Sequence, residues 1–155
     1  SSEPNMSLQN LLAIQRLQAF EATPVGVQRL LASAGRNLAD ARLANLSADN
    51  RFDAAYKTIM QCAMVALWAN GYRTVTSQPG HHQTALQALP KTMGLAQDRV
   101  IVLDALRKQR NLNDYEGDPV TDAAVAECLA QAEFLLAHTR QWLASHYPAL
   151  LAEDR

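Results

Sequence analysis

Residues 51–70 read Arg51-Phe52-Asp53-Ala54-Ala55-Tyr56-Lys57-Thr58-Ile59-Met60-Gln61-Cys62-Ala63-Met64-Val65-Ala66-Leu67-Trp68-Ala69-Asn70. Phe52, Tyr56, Ile59, Ala63 and Leu67 recur at intervals of three and four, which on an α-helix places them on one stripe. From Ile59 to Ala69 only Gln61 interrupts the apolar run, so this helix is expected to be buried on most sides and central to the fold. The run is far shorter than the roughly 20 residues that span a membrane. Asp49 or Asn50 is placed to cap its start, and Gly71 to end it in the left-handed conformation.

A helix buried all round needs other helices to cover it, and the flanking sequence supplies them. Upstream, Thr23-Pro24 reads as a cap followed by a first-turn proline. A helix then runs to about residue 46, with Val27, Leu30, Leu31, Ala34, Leu38, Ala41 and Leu43 on its apolar stripe and Arg29, Arg36 and Asp40 on the other face. Before it, Leu8, Leu11, Leu12, Ile14 and Leu17 have helical spacing and predict a helical extension over residues 6–22, with residues 1–5 a disordered leader. Downstream, residues 72–80 lack periodicity and read as a loop, residues 81–89 as a short helix, and Pro90 breaks it or opens one more turn. A fourth main helix begins at Gln97 or Asp98, carries Val100, Leu103 and Leu106 inward and ends at Glu116-Gly117-Asp118-Pro119. Thr121 caps the last helix, Val120 is available as a hydrophobic staple, and Val125, Leu129, Ala132, Leu136 and Leu143 carry the stripe to about His146, before Pro148. The expected fold is all-α: one domain over residues 1–155, an antiparallel bundle of about five main helices.

Composition agrees with this class. The 155 residues include only 6 Gly and 6 Pro, and one core of useful size is what such a length supports. The net charge of −1 argues against a protein that coats nucleic acid indiscriminately, but residues 1–110 hold 12 Lys/Arg against 7 Asp/Glu and residues 111–155 hold 2 against 8. The boundary falls inside the fourth helix. Cys62 and Cys128 sit among apolar neighbours and read as reduced core residues, with no nearby His or Asp in an elbow-like motif to activate them. No signal peptide is visible, so a cytoplasmic location without membrane attachment is expected. His81 and His82 are adjacent, hence about 100° apart on a helix, and lack the companions of a zinc site. One of them fits better at a helix start or lining a pocket, and His138 and His146 on a surface. No metal or cofactor is expected.

The polar residues near the end of the fourth helix are the functional candidates. Arg107, Arg110, Asn111, Asp114 and Tyr115 recur at three- and four-residue intervals and read as one polar ledge. Arg offers rigid donors matched to phosphate, Asn donates and accepts, and Tyr adds a hydroxyl and a stacking ring. Such a set suits a nucleotide or an RNA backbone. It is equally what an ordinary Arg110–Asp114 helix pair and a polar helix end look like, and spacing alone leaves both readings open.

Three segments in order, Phe52-Asp53-Ala54-Ala55-Tyr56, a helix beginning with His near position 81 or 82, and Arg110-Asn111-Leu112-Asn113-Asp114-Tyr115, resemble the HEPN domains. These are small helical bundles, several of them encoded beside minimal nucleotidyltransferases, and the similarity covers residues 34–143. The resemblance implies a homodimer in which two polar ledges face each other across a cleft, with Tyr56 and His82 close to it. Active members are metal-independent endoribonucleases carrying Arg, four to six residues, then His; the RNA 2′-hydroxyl attacks the adjacent phosphate, the Arg steadies the charge and the His moves protons. By that carry-over Arg110 binds phosphate, Asn111 is the polar residue after it, and Tyr115 stands where the imidazole would be. A Tyr hydroxyl, with a pKa of ~10, is a poor base at neutral pH, and the Arg-x4-Tyr form looks like a separate branch of the family. The resemblance thus implies an RNA- or nucleotide-binding protein of a toxin–antitoxin or defence system, with a ribonuclease role resting on Arg110, Asn111 and Tyr115 and substrate contacts from Arg107, Asp114, Tyr56 and His82. The alternative is a non-catalytic dimeric module that holds a nucleotidyltransferase or another effector, its acidic stretch from Asp114 to Asp122 meeting a basic partner.

Overall fold

The structure is a computed structural model, and it describes residues 7–152; the expected leader at 1–5 lies outside them. The described residues are mostly helical. They run α1 (Leu8–Ala13), β1 (Leu17–Ala19), α2 (Pro24–Ala41), α3 (Ala48–Ala69), β2 (Tyr72–Thr74), α4 (His81–Gln87), α5 (Leu89–Thr92), α6 (Gln97–Glu116) and α7 (Asp122–His146), then a 3-10 turn at Pro148–Leu151.

The central helix of the sequence is the centre of the bundle. α3 packs most extensively on α2 and α7, and Phe52, Tyr56, Ile59, Ala63 and Leu67 are all buried. Each large apolar side chain among them contributes roughly 1.5–3 kcal/mol by leaving water. Its cap differs from the expectation. Ser47, not Asp49 or Asn50, is the N-cap, its Oγ accepting from the Asn50 N–H at 3.1 Å. Asp49 is used elsewhere: its Oδ1 accepts from the backbone N–H of Val120 at 3.1 Å, tying the α6–α7 connection to the start of α3. At the other end Gly71 has φ +91°, the left-handed stop that a residue with a Cβ adopts at a cost.

α2 begins as read, with Thr23 Oγ1 accepting from the Gly26 N–H and Pro24 in the first turn. It ends at Ala41, short of residue 46. The Arg51 guanidinium donates to the Ala41 carbonyl at 2.9 Å, so a side chain from α3 satisfies an end carbonyl and the chain turns there. Leu43, counted on the apolar stripe, is left about half exposed.

The N-terminal segment departs most from the sequence reading. The expected helix over 6–22 exists only as Leu8–Ala13. Gln15 takes φ +62°, the Arg16 N–H returns to the Leu11 carbonyl at 3.0 Å, and the chain leaves extended. Leu17, Gln18 and Ala19 then pair antiparallel with Thr74, Arg73 and Tyr72, so part of the expected loop at 72–80 is a strand as well. Leu17 is 1% exposed, whereas Leu12 and Ile14 face outward; the apolar spacing served one turn of helix and one strand.

At the far end, Thr121 caps α7 by accepting from the Ala124 N–H, and Val120 and Val125 are both buried. Pro90 opens α5, and Gly117, φ +67°, closes α6. Cys62 and Cys128 are buried and unpaired, and burial pushes both thiols up to about 12. Among the described residues no helix is long and apolar enough to cross a membrane.

Candidate functional site

Three helices bring polar side chains to one place on the bundle. α3 presents Asp53 and Tyr56, three residues apart and therefore on one face. The short α4, which packs against both α3 and α6, presents His82. α6 presents Arg107, Arg110 and Asp114 at successive helical turns.

Tyr56 is the floor of the cluster. Its ring is 2% exposed, and its hydroxyl lies 3.1 Å from His82 Nδ1. Burial pushes the phenol up to about 12, against the pull of the Arg110 and Arg107 charges, so it stays protonated at neutral pH. The Arg110 guanidinium carbon sits 5.2 Å from the Tyr56 ring centre, within range of a cation–π contact. His82 is pushed below the usual histidine value, first by burial and then by the charges of His81, Arg110 and Arg107. Its imidazole is therefore held neutral where an exposed one would be partly charged. The His81 ring meets it edge-on at 4.6 Å.

Two kinds of cation border this pair. Arg107 is committed: its Nε donates to Asp104 Oδ1 at 2.7 Å, both side chains only about 15% exposed, and Lys108 adds a 3.5 Å contact to the second carboxylate oxygen. Arg110 is not. Its Nε lies 3.8 Å from Asp53 and 3.9 Å from Asp114, in ion-pair range but beyond a hydrogen bond, and this buried N–H has no hydrogen-bond partner. Burial raises the Asp53 carboxyl above its usual value and the Asp114 charge adds to this, while Arg110 pulls the other way.

The structure divides the ledge read from sequence. Arg107, Arg110, Asp114, Tyr56 and His82 are drawn together around Tyr56. Asn111 is exposed and Tyr115 is 91% exposed; they occupy the neighbouring face of α6, about 100° round the helix from Arg110 and Asp114. Within one chain the imidazole beside Arg110 is thus His82 of α4, and Tyr115 points to solvent. Asp53 and Asp104 belong to the site although the sequence reading did not single them out. Asp53 precedes Tyr56 by three, and Asp104 precedes Arg107 by three and Lys108 by four, so helical spacing carried both signals.

Chemically the cluster offers a guanidinium with an unsatisfied donor, a neutral imidazole hydrogen-bonded to a phenol, and carboxylates at the rim. Among the described residues no group of three or more His, Cys, Asp or Glu is arranged to hold a metal ion. No protein-family model, curated protein or solved structure matches the chain.

Proposed function

We propose that the chain is a HEPN-type helical bundle that binds RNA or a nucleotide by a phosphate at the Arg110 face, within a toxin–antitoxin or defence system. The observation that carries this reading is Arg110: a guanidinium laid over a buried Tyr ring, flanked but not hydrogen-bonded by two carboxylates, with one buried N–H unpartnered. Planar, bidentate recognition of a phosphate is what such a group does best.

The ribonuclease form of the reading gives proton transfer to His82 rather than Tyr115. With Nδ1–H donating to the Tyr56 oxygen, Nε2 keeps its lone pair and can take the proton of a 2′-hydroxyl as that oxygen attacks the adjacent phosphorus. Charge that develops on the phosphate then meets Arg110, and the 5′-oxygen leaves with the proton that His82 Nε2 returns, giving a cyclic phosphate and a free 5′-hydroxyl. A lowered imidazole pKa keeps that base available at neutral pH.

The test is fluorescence anisotropy and gel analysis of labelled single-stranded and hairpin RNA in EDTA. Arg110→Ala is expected to weaken binding by roughly 10- to 100-fold, the loss of charge-assisted hydrogen bonds. Unchanged affinity in a folded Arg110→Ala protein overturns the reading. RNA that is bound but not cut, or cut equally by His82→Ala, removes the nuclease form alone.

A second reading has its own observation. Ile101, Leu112 and Tyr115 are 63%, 55% and 91% exposed and, with Ala105 and Lys108, lie along one stripe of α6. An unpartnered apolar stripe next to the site suits a non-catalytic module that forms a homodimer or holds a nucleotidyltransferase-type partner. Light scattering of the wild-type chain and of Leu112→Asp decides: a wild-type monomer counts against the dimer.

A further inference from the structure

The ends of three elements meet at the C-terminal end of α3: residues 19–22 at the end of β1 and beyond it, residues 68–71 where α3 stops, and residues 146–150 where α7 gives way to the 3-10 turn. Between them lies an open cavity of about 760 Å³. Trp68 is twelve residues beyond Tyr56, about 18 Å along the helix, so this cavity is separate from the polar face. Its volume is within the range of small-molecule sites.

The walls are fixed from several sides. The Phe20 N–H donates to the Gly71 carbonyl at 2.9 Å, and the Tyr147 N–H to that of Leu143 at 2.8 Å. The Gln28 side chain reaches from α2 to donate to the carbonyls of Leu150 at 3.2 Å and Ala152 at 2.8 Å. Phe20 and Trp68 pack with ring centres 5.0 Å apart, and Tyr147 leans on Trp142 at 5.2 Å. The concavity is therefore part of the fold and needs no ligand to form it.

Its lining has a definite chemistry. Phe20, Trp68, Tyr147 and Leu150 supply apolar and aromatic surface. Among the described residues Glu21 is the acidic group of the lining, His146 also lines the space and no Lys or Arg does; the Arg73 guanidinium lies outside it, 5.1 Å from the centre of the Phe20 ring. Three aromatic side chains favour a ring that can meet them edge-on or offset. A carboxylate in the lining, with no cation there among the described residues, disfavours an anion. We infer that this cavity is a binding site for a flat, apolar ring compound without negative charge. The inference is independent of the phosphate reading at Arg110, whose ligand this cavity would repel.

Indole and indole-3-acetate are the probes, titrated into the full chain while the side-chain N–H signals of Trp68 and Trp142 are followed by NMR. Indole should produce a saturable shift centred on Trp68, and indole-3-acetate should bind about two- to fivefold more weakly, the effect of one exposed carboxylate. Glu21→Gln should narrow that difference. Ala69→Phe places a ring at the cavity wall and should weaken indole binding about tenfold or more; Ala22→Leu is the smaller filling variant if the first does not fold. No saturable shift with indole, equal binding of the two probes, or indole binding unaltered in a folded filling variant overturns the inference.

Discussion

Replacing Tyr56 by Phe deletes one oxygen from the floor of the site and leaves the ring. The ring is 2% exposed and keeps its contact with the Arg110 guanidinium; what is lost is the 3.1 Å bond between the hydroxyl and His82 Nδ1. A neutral intramolecular hydrogen bond contributes about 0.5–1.5 kcal/mol net, so Tyr56→Phe should destabilise the chain by about 1 kcal/mol, a melting-temperature drop of about 2–4 °C for a protein of this size. The assay is a double-mutant cycle, with urea unfolding of wild type, Tyr56→Phe, His82→Ala and the double variant near pH 7.5, where the imidazole is neutral. The expected coupling equals the bond, about 0.5–1.5 kcal/mol. RNA affinity of Tyr56→Phe should stay within about twofold of wild type, because the ring and Arg110 remain, whereas Tyr56→Ala should destabilise by about 3–5 kcal/mol through loss of a buried ring. A coupling energy of zero would refute the hydrogen bond as a contributor. A Tyr56→Phe loss of affinity as large as that of Arg110→Ala would refute the division of labour between ring and guanidinium.

Three further outcomes follow from the same geometry. The folded-state pKa of His82 lies below the ordinary 6.5, so below about pH 6.5 the unfolded chain binds more protons than the folded one. The corresponding stability is present above pH 6.5 and is lost as pH falls through 6.5 toward the folded value, and urea midpoints of His82→Asn should fall less steeply than wild type over that window; equal slopes would sink the assignment. Asp53→Asn removes one of the two charges beside Arg110 and should tighten RNA binding by about two- to fivefold, given the modest worth of half-exposed pairs; weaker binding would instead make Asp53 a positioning residue for Arg110. Thr121→Ala deletes the α7 cap, whose Oγ1 accepts from the Ala124 N–H at 3.1 Å, and should lower the unfolding free energy by about 1 kcal/mol, with an unchanged urea midpoint contradicting it.

Much of the fold was legible because its signals are local. Thr23-Pro24, Gly71, Gly117 and Thr121 each mark a helix end through chemistry confined to one turn, and each stands where that chemistry predicts. The misreadings have non-local causes. Leu17 pairs with Thr74, and no helical period over residues 8–17 announces a partner that far along the chain. α2 stops at Ala41 because Arg51 of the next helix takes its carbonyl; the cap of α3 is Ser47 because Asp49 is turned toward Val120. In the site, spacing correctly put Arg107, Arg110 and Asp114 on one face of α6. It merged with them the adjacent face of Asn111 and Tyr115, since a period of 3.6 distinguishes directions only once the buried side is known. Exposure supplied that missing reference.

The two arginines of the cluster look equivalent in sequence, and their surroundings make them different. Arg107 donates at 2.7 Å to a carboxylate as sheltered as itself. Releasing that bond for a ligand would strand a partly buried charge, which costs more than a surface pair returns. Arg110 stands 3.8 and 3.9 Å from carboxylates that are 47% and 57% exposed. Pairs of that kind contribute about 0–1 kcal/mol each, less than the roughly 1.5–3 kcal/mol of a hydrogen bond to a charged group, and water readily solvates the carboxylates once they are displaced. Asp53 and Asp114 therefore flank the guanidinium without occupying it. Arg107 acts differently: it is held by Asp104, and its charge adds the smallest share, after burial, His81 and Arg110, to what opposes protonation of His82. In the proposed reading Arg110 is therefore the group that meets a phosphate, and Arg107 stays with Asp104.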